Sequence, residues 1–258
     1  MQIAQDSRSR SAADPSDAIA LRDHLVATVN NARLERDPFC HIYLEEVFPP
    51  SLYNSVLRSL PPPNLYEPLN LRKWVRADGT STRDQFYPTQ ANLALLPEKH
   101  AALWGLFVRA VTDGVLKRTL FAKLAPDIAD RFGVPEDRVP DIECVYDICL
   151  VRDTEDYRIK PHPDGLNKIV TFQFYLPPDE TTLDLGTSLF QRERSLLGGK
   201  FREVKRFPFK PNSAYAFAVS DSDTRKSWHG RDRLTGFTSV RNTLMLLFQQ
   251  TSPREFVM

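Results

Sequence analysis

The residues of this chain best suited to chemistry are two histidines and an aspartate in two short motifs. The first motif is His162-Pro163-Asp164, and the second is Trp228-His229-Gly230. Two imidazoles and one carboxylate form a facial triad, which holds iron(II) on one side and leaves coordination positions open. The two motifs therefore predict a metal site whose ligands are His162, Asp164 and His229.

The spacing of the first motif suits an extended chain. Residues i and i+2 of a strand point to the same face, so His162 and Asp164 can reach one ion. Taken alone, this pattern is common by chance, and an isolated histidine is more often an ordinary core or surface residue. The combination with His229 is far less common and carries the prediction. Because the third ligand is a carboxylate, no room remains for a halide, which favours hydroxylation over halogenation.

A third motif, Arg241-Asn242-Thr243, begins an apolar strand twelve residues after His229. Arg241 and Thr243 share a strand face, and a guanidinium can bind a carboxylate through two parallel hydrogen bonds. Without the metal motifs, a surface salt bridge would be the simpler reading. Beside a metal site, Arg241 is expected to hold the far carboxylate of a bidentate cosubstrate.

Composition excludes several classes of function. The chain has 258 residues, of which 41% are hydrophobic and 26% charged, as in ordinary globular proteins. A net charge of +1 provides no long-range attraction to nucleic acid or anionic membranes. Neither an apolar secretory segment nor a membrane-length apolar run is present, and the three cysteines form no CxxC pair. We expect a cytoplasmic protein without nucleic-acid or membrane partners; the sequence leaves its oligomeric state open.

The remaining elements must position these motifs. Residues 1–17 are expected to be a disordered tail, and residues 18–258 a single domain with a helical part over 18–139. The first helix is predicted over 18–36, and Gly114 and Gly133 are expected to mark helix ends. From residue 140 to 250, short β-rich runs separated by turns predict a jelly roll. These runs are 143–151, 168–176, 186–190, 202–207, 213–219 and 241–249.

The motifs also resemble a known family. HPDG (162–165), NKIVTFQFYLP (167–177), SWHG (227–230) and RNTLMLLF (241–248) are similar to segments of the iron(II)- and 2-oxoglutarate-dependent dioxygenase superfamily, especially its bacterial prolyl-hydroxylase-like members. The resemblance covers most of residues 140–250. It implies a double-stranded β-helix (cupin-like) core that is mostly β, with supporting N-terminal helices. One departure is Gly186, which stands alone where two glycines are usual.

The resemblance further implies the site and the reaction. His162, Asp164 and His229 would bind iron(II), and Arg241 with Thr243 would bind 2-oxoglutarate. Dioxygen is the other reactant, and ascorbate is a candidate stimulant. The expected activity is hydroxylation of an unactivated C–H bond of a small molecule in a biosynthetic pathway. Two alternatives stay open: a protein or peptide (prolyl-type) hydroxylase, and a non-catalytic cupin-like ligand-binding protein.

Several further side chains are candidates for the pocket. A second polar contact to the cosubstrate is expected from Tyr146, Asn167 or Gln173, and Gln173 is preferred because it interrupts an apolar strand. Apolar walls are expected from Phe172, Phe174, Tyr215 and Phe217, although strand alternation assigns about half of such residues to ordinary core packing.

Substrate contacts are expected mainly from the irregular segment 71–90, which is rich in arginine and aromatic residues. Such a segment could bind an anionic small molecule through its arginine and aromatic side chains. It could equally be a solvent-exposed loop. The candidate substrate residues are Arg72, Arg76, Arg83 and Arg152. A second segment, 191–202, contains Gly198-Gly199 and is a candidate flap.

Overall fold

The computed structural model describes residues 15–69, 71, 74–193, 199–234 and 240–250. Within them the chain forms six α-helices: α1 (Pro15–Asn31), α2 (Pro50–Arg58), α3 (Gln90–Leu93), α4 (Glu98–Thr112), α5 (Val115–Lys123) and α6 (Ala125–Phe132). It also forms eleven strands: β1 (His41–Glu45), β2 (Glu67–Pro68), β3 (Arg83–Phe86), β4 (Val145–Asp153), β5 (Ile159–His162), β6 (Lys168–Tyr175), β7 (Ser188–Glu193), β8 (Lys200–Arg206), β9 (Ser213–Ala218), β10 (His229–Arg231) and β11 (Arg241–Gln249).

The strands form two antiparallel sheets. The larger has the order β1-β9-β6-β11-β4-β3-β2, and the smaller has the order β5-β10-β7-β8. Aromatic and aliphatic side chains from both sheets, including Tyr175, Tyr215 and Leu189, form one buried cluster. The two sheets therefore close on a shared interior, and the predicted double-stranded β-helix with supporting helices is confirmed.

The other face of the large sheet packs against the helices. Phe107 of α4 meets Phe174 of β6 edge-to-face, with ring centroids 5.6 Å apart. Phe172 lies in the same buried cluster as α1, α4 and α5. Phe172 and Phe174 are therefore core residues of the helical side, and their expected place in the pocket wall is wrong. Tyr215 and Phe217 belong to the cluster between the sheets.

Two glycines lie directly at helix ends, as predicted. Gly114 precedes α5 with φ +88°, and Gly133 ends α6 with φ +64°, a left-handed conformation that glycine adopts without a Cβ penalty. Both expected helix ends are confirmed. The first helix spans Pro15–Asn31 instead of 18–36, so it begins inside the predicted tail. Residues 1–14 lie outside the described part of the chain.

The segment predicted to be irregular contains regular structure. β3 pairs with β4, so Arg83 stands opposite Asp153 and Gln85 opposite Val151. β4 in turn pairs with β11. The segment is therefore part of the large sheet, and its residues Arg83 and Gln85 line the cavity between the sheets. Among the described helices, none combines the length and apolar character needed to cross a bilayer.

Candidate metal and cosubstrate site

Pairing of two short strands brings the predicted ligands together. His162 ends β5, His229 begins β10, and the two residues stand opposite each other in the antiparallel register. Their ring centroids are 4.5 Å apart. Asp164 follows β5, and its Oδ2 lies 3.9 Å from His229 Nε2. One ligand atom from each of the three residues lies within 4.8 Å of the others, which is the spacing of a metal site.

Hydrogen bonds orient both imidazoles. Nδ1 of His162 lies 3.1 Å from the carbonyl oxygen of Lys160, and Nδ1 of His229 lies 2.9 Å from that of Ser227. A carbonyl oxygen only accepts, so each Nδ1 must donate its proton, which leaves each Nε2 lone pair free for a metal.

Burial also keeps the imidazoles neutral. It lowers the pKa of His162 to about 4, with the nearby His229 acting in the same direction. Burial likewise lowers the pKa of His229. Metal ligands must be free of protons, so both side chains are in the metal-binding form at neutral pH.

Asp164 is held as a carboxylate. Its two oxygens accept hydrogen bonds from Lys168 Nζ and Thr171 Oγ1, each at 2.6 Å. Burial alone would raise its pKa, but His229, Lys168 and Thr171 together hold the pKa of this carboxyl well below its usual range. Two neutral imidazoles and one oriented carboxylate are a donor set that fits iron(II).

The triad opens into a cavity of about 300 Å³ between the sheets. Gln173 and Tyr215 line this cavity, and they form a hydrogen-bonded chain with Thr243, which is fully buried and does not line it. Tyr215 Oη donates to Gln173 Oε1 at 2.5 Å, and Gln173 Nε2 donates to Thr243 Oγ1 at 2.9 Å. The structure thus places the candidates Gln173 and Thr243 together, and it adds the hydroxyl of Tyr215.

The other two candidates for a cosubstrate contact lie elsewhere. Tyr146 packs against Phe248 on the helical side of the sheet, with ring centroids 5.5 Å apart. Asn167 is exposed and donates to Gln249 Oε1. Neither of these side chains lines the cavity.

Arg241 is buried at the start of β11. Its Nη1 donates to Asp153 Oδ2 at 2.9 Å, and its Nε donates to the carbonyl oxygen of Leu185 at 2.8 Å. The guanidinium also lies over the rings of Tyr175 and Phe209. Asp153 did not stand out in the sequence, because its partner across the sheet is distant along the chain.

Sequence reasoning also missed a second arginine at this end of the cavity. Arg231 follows His229 by two residues on β10, and both line the cavity. Its Nη1 donates to the carbonyl oxygen of Gly186, while its Nε has no hydrogen-bond partner among the described residues. Burial, with the neighbouring charge of Arg241, lowers the pKa of Arg231 to about 10. The period-two rule that linked His162 to Asp164 could have found this residue.

The candidate substrate arginines occupy different places. Arg83 is buried and lines the cavity. Arg76 donates instead to loop oxygens, among them Thr154 Oγ1 at 2.7 Å. Arg152 does not line the cavity; it pairs with Asp84 at 3.6 Å. Arg72 lies outside the described residues, as do residues 194–198 of the candidate flap.

Comparison with known proteins agrees with this geometry at the level of the fold. No family model matches the sequence, and no curated protein matches it. Among solved structures, the chain is similar to a prolyl hydroxylase from Trichoplax adhaerens in complex with a hypoxia inducible factor peptide fragment. The TM-score is 0.50 at 11% identity, with 94% of each chain covered.

A second similar structure is the dioxygenase for auxin oxidation 1 from Arabidopsis thaliana, in complex with 2-oxoglutarate. The TM-score is 0.50 at 13% identity, with 93% of this chain and 91% of that chain covered. Identities this low establish the fold alone. The chain has the double-stranded β-helix fold of the iron(II)- and 2-oxoglutarate-dependent oxygenases, as its motifs predicted.

Proposed function

We propose that this protein is an iron(II)- and 2-oxoglutarate-dependent dioxygenase that hydroxylates a C–H bond of a small molecule. One observation carries the proposal. His162, Asp164 and His229 converge on one wall of a cavity that also contains the buried guanidinium of Arg241. A facial triad with open positions and a cation for a distant carboxylate are the two requirements of this chemistry.

The protein residues have separate tasks in this proposal. Nε2 of His162, Nε2 of His229 and the carboxylate of Asp164 would hold iron(II), and Lys168 and Thr171 keep that carboxylate oriented. Iron(II) and 2-oxoglutarate, when bound, supply the reduction of dioxygen and the oxidant for hydroxylation. Everything else in the site positions reactants and excludes water.

Arg241 is the proposed anchor of the cosubstrate. It is 2% exposed, and its Nη1 and Nε are fixed by Asp153 and Leu185, so its position is set before any ligand binds. Gln173 and Thr243 are proposed to contact the same cosubstrate. Gln173 lines the cavity and donates a hydrogen bond to the buried Thr243.

Aromatic side chains next to the triad support the exclusion of water. The ring of Phe217 lies 4.7 Å from that of His229, measured between centroids. Tyr215 stacks between Phe217 and Phe207, with centroids 6.1 Å and 4.8 Å away. A dry wall of this kind strengthens electrostatic interactions at the metal and limits side reactions.

Succinate formation tests the proposal. Purified protein is supplied with iron(II), ascorbate and 2-oxoglutarate, and succinate is measured with and without candidate substrates. We expect turnover that disappears in His162→Ala and Asp164→Ala. His100→Ala is the matched control, because His100 does not line the cavity, and it should retain full turnover.

Other outcomes separate the alternatives. Metal binding through the triad without any succinate would support the non-catalytic ligand-binding protein and contradict the proposal. Succinate formation stimulated by proline-containing peptides but by no small molecule would support the peptide hydroxylase.

A further inference from the structure

The cavity has a metal end and an arginine end that differ in charge. At the metal end, Lys168 lies against Asp164, and Asp147 also lines the cavity; burial raises the pKa of Asp147, and the nearby Lys168 opposes that rise. With both carboxyl groups ionised, these three side chains carry one net negative charge. One iron(II) ion and the metal-bound carboxylate of 2-oxoglutarate, as proposed above, bring this end to neutrality.

At the arginine end, the charges of the side chains and the cosubstrate do not sum to zero. Arg83, Arg231 and Arg241 line it, and Asp153 lies between Arg83 and Arg241. The far carboxylate of 2-oxoglutarate neutralises one of the two surplus positive charges. One positive charge remains without a partner. An unpaired charge in a buried site is strongly unfavourable, so the complete site calls for one further anion.

Arg83 has the unused hydrogen-bonding edge for that anion. It is 8% exposed. Its Nη1 donates to the hydroxyl of Tyr157, whereas Nη2 meets the Met245 sulfur at 3.8 Å, a weak acceptor. Nε lies 3.3 Å from Asp153 Oδ1, yet neither atom makes a hydrogen bond within the described structure.

Nε and Nη2 form the side edge of a guanidinium, which can bind a carboxylate through two parallel N–H···O bonds. In Arg83 this edge donates to no oxygen among the described residues. Nη2 is the donor left for an incoming ligand, because Nε is buried against Asp153 Oδ1.

Arg83 stands apart from the proposed cosubstrate anchor. Arg241 is held by the backbone of Leu185 and lies over Phe209, with its guanidinium carbon 4.9 Å from the ring centroid. Arg83 lies instead over Trp74 and Tyr157, at 5.5 Å and 4.7 Å. Asp153 separates the two guanidinium groups, so they can serve two different carboxylates.

We propose that the substrate is a small, otherwise apolar monocarboxylic acid and that the Arg83 guanidinium binds its carboxylate, with Nη2 as the donor. The inference rests on the proposed function, because the charge balance assumes bound iron(II) and 2-oxoglutarate. Apolar lining near Arg83, from Leu69, Trp74, Ile159 and Met245, suits the rest of such a molecule. A single surplus charge matches a carboxylate better than a phosphate monoester, which carries nearly two charges at neutral pH.

Binding without turnover tests this inference. Zinc(II) replaces iron(II), 2-oxoglutarate is kept saturating so that added acids cannot occupy its site, and calorimetry measures ligand affinity. The probes are acetate, butyrate and phenylacetate, each compared with its neutral amide. We expect the wild-type protein to bind at least one acid about tenfold or more tightly than its amide, the range for a charge-assisted hydrogen bond.

Three variants make the test specific. Arg83→Met should abolish the preference for the acid. Arg83→Lys should keep the charge but weaken the preference, because lysine lacks the planar fork. Arg158→Met is the matched control: it removes an arginine charge from an exposed position beside Tyr157 and should behave as wild type. Circular dichroism and thermal melting check that each variant is folded.

The outcomes distinguish this inference from the proposed function. If wild-type protein binds 2-oxoglutarate but favours no acid over its amide, or if Arg83→Met keeps the preference, the carboxylate subsite is wrong while the oxygenase proposal stands. If Arg83→Met loses 2-oxoglutarate itself, Arg83 belongs to the cosubstrate site and the inference also fails. If no protein binds 2-oxoglutarate, the proposed function fails first.

Discussion

The metal-binding ability of Asp164 depends on residues that do not themselves reach the metal. Thr171 Oγ1 donates to one carboxylate oxygen, and Lys168 Nζ donates to the other. Thr171→Val removes the hydroxyl with little change in volume. We expect about tenfold weaker metal binding, as is usual when such a supporting hydrogen bond is lost, measured by competition with a coloured chelator. Thr119→Val, which removes an exposed helix hydroxyl, should leave the affinity unchanged; equal affinities in all three proteins would contradict the assigned role.

Arg241 can be tested separately from the metal. Arg241→Met leaves the triad intact but removes the cation proposed for the far carboxylate of 2-oxoglutarate. Loss of one partner of a buried charge pair is expected to weaken 2-oxoglutarate binding by about 2–4 kcal/mol. Calorimetry with the zinc(II)-loaded protein measures this change, and metal affinity measured in parallel should stay the same. An unaltered 2-oxoglutarate affinity would show that the cosubstrate is anchored elsewhere.

A histidine outside the site should make stability depend on pH. His41 is fully buried, with Nδ1 2.8 Å from the carbonyl oxygen of Phe39 and Nε2 3.3 Å from Lys205 Nζ. Burial lowers its pKa, although the carboxylate of Glu35, 3.6 Å away, acts in the opposite direction. His41 is therefore protonated near pH 6.5 in the unfolded chain but stays neutral at this pH in the folded chain.

The lower pKa of His41 in the folded state sets how the free energy of unfolding changes with pH. The contribution of neutral His41 is fully present above about pH 6.5 and decreases as the pH falls, by up to about 1.4 kcal/mol per pH unit. Urea unfolding between pH 5 and 7.5 should give a steeper loss of stability for wild-type protein than for His41→Gln. Parallel pH profiles would mean that His41 is protonated equally in both states.

Sequence periodicity shows where the strands of this chain lie better than it shows which side of the sheet each strand residue faces. β6 is buried on nearly its whole length, because helices cover one face and the cavity lies against the other. Phe172 and Phe174 therefore could not be distinguished from pocket residues by alternation, whereas Gln173 stood out as the polar exception. Asp153 was missed because its importance arises from strand pairing between distant parts of the chain.

The close approach of β5 and β10 should depend on Gly230. A Cβ at this position would lie 2.7 Å from the carbonyl oxygen of Ile159 and 3.1 Å from the carbonyl carbon of Lys160. Gly230→Ala therefore has to push β5 away and, with it, His162. We expect a folded protein with metal affinity about tenfold lower, because ligand placement within roughly half an ångström is needed. Metal titration monitored by calorimetry measures the loss.

Gly105→Ala provides the matched control for this substitution. Gly105 lies within α4, where a Cβ would meet only the Arg109 side chain at 3.5 Å. Alanine in a helix interior is favoured over glycine by roughly 0.5–1 kcal/mol. This variant should therefore be slightly more stable and bind metal normally, and wild-type metal affinity in Gly230→Ala would contradict the steric argument.

At the scale of the whole molecule, the helices and the large sheet share one hydrophobic core. Leu25 of α1, Phe107 of α4 and Phe174 of β6 belong to a single buried cluster. We propose, as the sequence suggested, that residues 18–258 form one domain. The site then lies on the opposite face of the same sheet, so unfolding of the helical layer should also disrupt the cavity.

This arrangement predicts how ligands affect stability. Without ligands, the cavity contains surplus arginine charge at one end and an open set of metal ligands at the other. Zinc(II) and 2-oxoglutarate should each raise the melting temperature, and they should raise it more together than the sum of both, because the metal creates a binding position for the cosubstrate. A ligand at a hundred times its Kd adds about 2.7 kcal/mol to the free energy of unfolding.

In Asp164→Ala the response to zinc(II) should be lost, and the melt should stay a single transition in all samples. Two separate transitions, of which only one responds to ligand, would show that the helical part and the jelly roll unfold independently.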